Sequence, residues 1–212
     1  MTGEIYIMKK VLFVLLCVSL LVLGGCGDSK ASDPSTAEEN PVQSPQAEPQ
    51  DGAAVFQLGE FSAVDLEGNE VTQDVLKNSK ITMLNIWATF CGPCFQEMPG
   101  LGQISDESDP EKFQIIGLIT DVYSEDQSQE MKALIEQNIE TAKAIEEETG
   151  ADYLHLRLNG QLYEKLSAYM QYVPTTIFLD SEGNQVGEIY SSMHTKDEWL
   201  EIIDEVMKEA GL

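Results

Sequence analysis

Hydrophobic positions along the chain fall into three regimes. Val11 to Leu23 is a run of thirteen residues, apolar except for Ser19, short for a bilayer span and suited to the core of a signal peptide. Residues 27–54 are mostly Ser, Pro, Ala, Glu and Gln with almost no large apolar side chain, so they cannot bury a core and are expected to form a disordered tether. Treated as a flexible chain, those 28 residues have a root-mean-square reach of about 30 Å, which Pro34, Pro41, Pro45 and Pro49 lengthen. From Val55 onward the apolar residues become periodic, and the expected organisation is 1–25 leader, 26–54 tether and 55–212 folded domain.

Within that domain the period changes repeatedly. Residues 61–66 and 70–72 flank the turn Glu67-Gly68-Asn69 and read as a small hairpin, followed by a short turn or helix to Lys77. Ile81 to Trp87 and Phe113 to Thr120 are nearly continuous apolar runs, as strands buried on both faces require. Between them, a helix after Cys94 carries Pro99, Gly100 and Gly102, which predict a kink. Met131, Leu134, Ile135, Ile139, Ala142 and Ile145 recur at helical spacing in an acidic stretch that stops at Gly150. A short strand near residues 153–156 and a helix over 161–169 come next. A hairpin of residues 175–179 and 185–190 about Asp180-Ser181-Glu182-Gly183-Asn184 follows, then a last helix over 195–209 burying Trp199, Leu200, Ile203, Val206 and Met207. Strands alternating with helices, then a hairpin and a helix, describe an α/β domain: a mixed sheet with helices on both faces.

Charge and cysteine usage narrow the function. Lys and Arg number 12 against 37 Asp and Glu, a formal net charge of −25. Such a surface repels nucleic acid and anionic headgroups. Lys9 and Lys10 ahead of the apolar run complete an export signal, with Met8 an alternative start. Gly24-Gly25-Cys26 resembles a bacterial lipobox, whose cysteine is lipidated. The other reading is a simple secretory signal leaving Cys26 free, an oxidation liability on an exported tail. Membrane attachment is therefore expected through acyl chains on Cys26.

Of the four cysteines, Cys17 leaves with the leader and Cys26 is acylated, so Cys91 and Cys94 remain as thiols. Spaced by two residues where an apolar run meets a helical pattern, their sulfurs lie one helical turn apart, which suits a reversible disulfide. Cys91 falls at the helix N-terminus, where unpaired N–H groups and the dipole favour a thiolate, making it the nucleophile. Pro93 occupies the first turn, where its missing N–H costs nothing. Half a zinc site is the competing reading, but no second cysteine pair completes it, and His155 and His194 lack ligand spacing. No metal is expected on that count, and no cofactor, since no dinucleotide fingerprint or flavin motif occurs.

Trp87-Ala88-x-x-Cys91-Gly92-Pro93-Cys94 after one buried strand, with Val173-Pro174-Thr175 before a later one, resembles the thioredoxin fold, and within it the TlpA/ResA-like membrane-anchored thiol-disulfide oxidoreductases. The resemblance covers residues 55–212 and implies a three-layer thioredoxin-like domain. It implies Cys91 as the attacking and Cys94 as the resolving thiol. Pro174 would be a cis-proline opposite them, with the backbone at Val173 presented to an extended substrate strand and Trp87, Gly92, Pro93 and Thr175 in support. Glu97 matches an acidic residue of ResA-like members and would take the proton of Cys94, the alternative being a surface glutamate. Asn85 stands where thioredoxins proper carry a buried aspartate, and Phe90 where tryptophan is usual. The implied protein is a reductase on the outer face of a bacterial cytoplasmic membrane, acting on disulfide-containing exported clients and re-reduced by a membrane electron donor. Apocytochrome c, a methionine sulfoxide reductase or misoxidised proteins in general are the client classes. Two other readings are a thiol peroxidase, for which the Pro-x-x-x-Thr-x-x-Cys loop is missing, and a metal carrier of related fold.

Overall fold

A computed structural model describes residues 56–212. The leader, Cys17, Cys26 and the tether lie outside the described residues. The elements are β1 (Ser62–Asp65), β2 (Glu70–Thr72), a 3-10 turn (Gln73–Asn78), β3 (Ile81–Trp87), α1 (Gly92–Glu107), β4 (Phe113–Ile119), α2 (Gln129–Thr149), β5 (Leu154–Arg157), α3 (Gly160–Leu166), a second 3-10 turn (Ser167–Tyr169), β6 (Thr175–Asp180), β7 (Gln185–Tyr190) and α4 (Lys196–Glu209).

Seven strands form one mixed sheet in the order β2-β1-β5-β4-β3-β6-β7. β3 is parallel to β4 and antiparallel to β6, and β4 is parallel to β5. All seven residues of β3 are buried, because the strand lies mid-sheet with both faces covered. Side chains alternate across it: Met83 and Trp87 join a core beneath α1, α2 and α4, while Leu84 and Ile86 join a second core on the opposite face. That second face is closed by α3, the 3-10 turns and the segment carrying Leu58 and Phe61. The helical cover is therefore unequal. Helix-sized layers lie on one side and short pieces on the other.

Several local expectations change in detail. The helix read as 161–169 divides into α3 and a separate 3-10 turn. α1 runs through Pro99 as one element of sixteen residues, although the proline removes a hydrogen-bond donor. Gly102, which weakens the helix in isolation, admits a close crossing: a Cβ there would lie 2.2 Å from the Gly150 carbonyl oxygen. Gly150 ends α2 with φ +66°, the left-handed conformation that favours glycine. Leu134 and Leu200, read as core residues, are 46% and 43% exposed. Each sits at the edge of its helix's apolar stripe, and Ala142, Ile145, Trp199 and Val206 are the residues that bury. Thr195 caps α4 in a reciprocal capping box with Glu198, which sets where that helix begins and where Trp199 points.

Candidate active site

β3 ends at Trp87, and the four residues that follow turn into α1. The turn is held from β4 and its C-terminal edge. The Thr120 N–H donates to the Trp87 carbonyl at 2.9 Å, and both carboxylate oxygens of Asp121 accept from the Thr89 N–H at 3.1 Å. Sequence reading did not single out Asp121, since an acidic residue after a buried strand carries no distinguishing pattern. Cys91 is the N-cap of α1, and its Sγ accepts from the Cys94 N–H at 3.2 Å. Gly92 and Pro93 make the first turn. Cys91 and Cys94 are joined as a disulfide with their Cα atoms 5.3 Å apart. Cys91 and Cys94 are both buried, but Cys91 retains 5% exposure and Cys94 none, so of the two residues Cys91 is the one that reaches solvent.

The second wall comes from β6. Thr175 opposes Ile86 in the ladder, which brings the preceding residues alongside the β3–α1 turn. The Val173–Pro174 peptide is cis, and Val173 packs on the core that contains Cys91 and Cys94. The Thr175 hydroxyl pairs with the Tyr172 carbonyl at 2.8 Å and with the Ser191 hydroxyl at 3.2 Å, fixing the loop's shape. Phe90 and Tyr172, one on each of these two loops, are 77% and 72% exposed. Large aromatic side chains left in water beside a buried sulfur are the informative exposures on this surface.

A polar cradle surrounds Glu97. Glu97, one turn beyond Cys94 on α1, is 2% exposed. Its Oε1 accepts from Asn85 Nδ2 at 2.9 Å, and its Oε2 accepts from the His194 N–H at 3.2 Å and from Trp199 Nε1 at 3.3 Å. Asn85 Nδ2 also reaches Thr176 Oγ1 at 3.2 Å. Burial raises the Glu97 carboxyl to about 7, against the pull of those three donors. A carboxyl poised there exchanges protons near neutrality. The roles of Trp199 and His194 were not legible in the sequence, where Trp199 was one more apolar position on an amphipathic helix.

Trp87 is fully buried in the same core as the two sulfurs. Its indole N–H meets His155 Nδ1 at 3.2 Å, and His155 Nε2 meets the Ala151 carbonyl at 2.8 Å. A carbonyl can only accept, so the histidine is the neutral tautomer with its proton on Nε2 and its Nδ1 lone pair on the indole. Burial lowers its pKa to about 4. Gly117 makes room for this ring: a Cβ at Gly117 would lie 2.1 Å from His155 Nδ1. Thr176, Asn85, Gly117 and His155 stand opposite one another on four adjacent strands. They form one row across the floor of the site. Among the described residues no group of three or more His, Cys, Asp or Glu could hold a metal ion.

The sheet order, the helix-tip cysteine pair and the cis-proline beside it define a thioredoxin-fold protein. The chain belongs to the AhpC/TSA family, whose model matches residues 56–188. The Thioredoxin-like protein YneN of Bacillus subtilis (strain 168) is 39% identical over 51 residues, 24% of this chain and 29% of that protein. The matched part is thus under a third of that relative's length. A thiol:disulfide interchange protein of the thioredoxin family from Chlorobium tepidum TLS superposes with a TM-score of 0.57 at 19% identity, covering 74% of this chain and 99% of that one. A DsbF homologue from Corynebacterium diphtheriae also gives 0.57, at 20% identity, covering 77% and 96%. A secreted Mycobacterium tuberculosis disulfide oxidoreductase homologous to E. coli DsbE gives 0.52 at 16% identity, covering 68% and 95%. At these identities the likeness establishes the fold.

Proposed function

We propose that the chain is an extracytoplasmic thiol-disulfide oxidoreductase that reduces disulfides in exported proteins while anchored to the outer face of a bacterial cytoplasmic membrane through Cys26. The observation that carries the reading is the Cys91–Cys94 disulfide at the tip of α1, with Cys91 slightly exposed and Cys94 fully buried, together with a cis-proline immediately before Thr175, which pairs with Ile86 near the end of β3. In the reduced protein the Cys91 thiolate attacks one sulfur of a client disulfide, forming a mixed disulfide and releasing the other client sulfur as a thiolate. Cys94 then gives its proton to the Glu97 carboxylate. The Cys94 thiolate attacks Cys91 Sγ, the second client sulfur leaves, and two electrons have passed from the dithiol to the client. Burial makes Glu97 a stronger base than an exposed glutamate, which is the property this step needs. A membrane electron donor would return the pair to the dithiol.

The exposed Phe90 and Tyr172 support a protein client, because an extended segment laid along the cis-proline loop would cover both rings. An extracytoplasmic setting is supported by the leader and by the structural likeness to a protein described as secreted. Among the described residues no helix is long and apolar enough to cross a membrane. Trapping tests the assignment. A Cys94→Ser variant should accumulate mixed disulfides with exported proteins through Cys91, and a Cys91→Ser variant should not. Absence of any trapped protein, together with peroxide turnover by the wild type, would replace this reading with the peroxidase one.

A further inference from the structure

Glu97 is held asymmetrically. Both groups on Oε2, the His194 main-chain N–H and the Trp199 indole N–H, can only donate. A proton bound by Glu97 therefore cannot sit on Oε2 without facing two donors. It goes to Oε1, which faces Asn85. There Asn85 presents Nδ2, also a donor, while its Oδ1 is buried without any partner. This arrangement suits the carboxylate and opposes the neutral acid. Rotating the amide by half a turn about its terminal bond exchanges the two atoms. Oδ1 then accepts the Glu97 O–H, and it can accept the Thr176 O–H as well, because a hydroxyl serves as donor or acceptor.

We propose that Asn85 is a two-state positioning residue, whose side-chain amide inverts when Glu97 takes up a proton, so that both protonation states of Glu97 are hydrogen-bonded in the dry interior. The proposal rests on the reading of Glu97 as the proton acceptor of Cys94 and extends it to the residue that lets the proton stay. It gives a physical reason for asparagine at this place. A carboxylate at position 85 would repel the charged Glu97, and an apolar side chain would leave both forms of Glu97 without a partner on Oε1. Inversion needs no translation, and because Nδ2 then takes the position at which Oδ1 has no partner, one end of the amide is unpaired in either state, so the Glu97 proton decides which end it is. Thr176, fixed in the next strand, holds the pivot in either state. The other titratable groups on elements packed around Glu97 are His194, Tyr153 and His155, besides the cysteines themselves. Tyr153 and His155 are neutral throughout the range concerned, since burial raises the phenol and lowers the imidazole to about 4. His194 offers Glu97 its main-chain N–H, and its ring turns to Trp199 and Tyr190.

Neutron diffraction from crystals of the oxidised wild-type protein reads the amide directly. With the disulfide closed, neither cysteine titrates. Crystals are taken about two pH units below and above the Glu97 pKa. The expected result is deuterium on Glu97 Oε1 with Asn85 Oδ1 facing it at low pH, and Asn85 Nδ2 facing a bare carboxylate at high pH. The same amide orientation at both, or deuterium on Oε2, overturns the proposal. In solution, the Asn85 side-chain 15N signal should titrate with the Glu97 carboxyl in the wild type and be independent of pH in Glu97→Gln. A signal that stays flat in the wild type while Glu97 titrates overturns it as well. Failure of the underlying reading looks different: Glu97→Gln would then leave the rate of Cys94 attack on a mixed disulfide unchanged at every pH, whatever the amide does.

Discussion

Glu97→Gln makes the cost of burying a carboxylate measurable as stability. The ordinary value for the side chain is 4.5 and the folded value is about 7. At about 1.4 kcal/mol per unit, the difference corresponds to about 3 kcal/mol. Because the folded value is the higher one, the native state binds the proton more tightly than the unfolded chain. The contribution is fully present below the unfolded pKa and is lost as pH rises through the folded one. His155 works in the opposite sense over an overlapping window. Its value falls from 6.5 to about 4, so its contribution is present above 6.5 and lost as pH falls toward 4. The two terms partly cancel in the wild type, and a single pH–stability curve would look flatter than either. The informative quantity is the difference between Glu97→Gln and wild type. Urea denaturation of the oxidised proteins should show the variant gaining on the wild type by about 3 kcal/mol between about pH 4 and pH 8, with the change centred in the window between the two Glu97 values. Glutamine keeps an oxygen for the His194 and Trp199 donors, so the pH-independent loss should be small. A difference that is constant across the range would mean that the folded carboxyl is not perturbed, and the proton-acceptor role would lose its physical basis.

Gly117→Ala should destabilise the oxidised protein by about 1–3 kcal/mol, the usual range for forcing a methyl into a filled core. Because a Cβ at Gly117 would meet His155 Nδ1 at 2.1 Å, the near-ultraviolet signal of Trp87 should change with it; urea titration with circular dichroism checks both, and an unaltered spectrum and midpoint would show the ring has room to spare. Phe90→Ala and Tyr172→Ala remove exposed rings, so unfolding free energies from urea denaturation should stay within about 0.5 kcal/mol of wild type. Reduction of a protein disulfide should slow by about tenfold or more while that of a small-molecule disulfide is unchanged. Equal slowing of both substrates would mean the rings act on Cys91 rather than on a client.

The strands and helices were legible because their periods are strong: the buried runs at Ile81–Trp87 and Phe113–Ile119 and the stripe through Ala142 and Ile145 emerged as elements near their expected places. Boundaries moved where local chemistry overrode period, as where residues 161–169 split into a helix and a 3-10 turn. The cysteine pair was visible because its chemistry is tied to local spacing, whereas Pro174 stood out only through the resemblance to the thioredoxin fold. The cradle of Glu97 was only half visible. Asn85 and Glu97 drew attention through their positions, but the donors from His194 and Trp199 arrive from 97 and 102 residues away, and nothing local in either residue announces a carboxylate partner. His155 is a similar case: its ring is fixed by Trp87 and by the absence of a side chain at Gly117, a pairing that only the sheet register creates.

The central claim is that Cys91 is the reactive thiol of a pair in which Cys94 is shielded. Alkylation of the reduced protein by iodoacetamide, followed by peptide mass spectrometry over a pH series, tests it most directly. The account predicts one modification at Cys91, with a thiol pKa below the ordinary value of about 8.5, and Cys94 untouched until the protein unfolds. Modification of Cys94 first, or of both cysteines at equal rates, would contradict it.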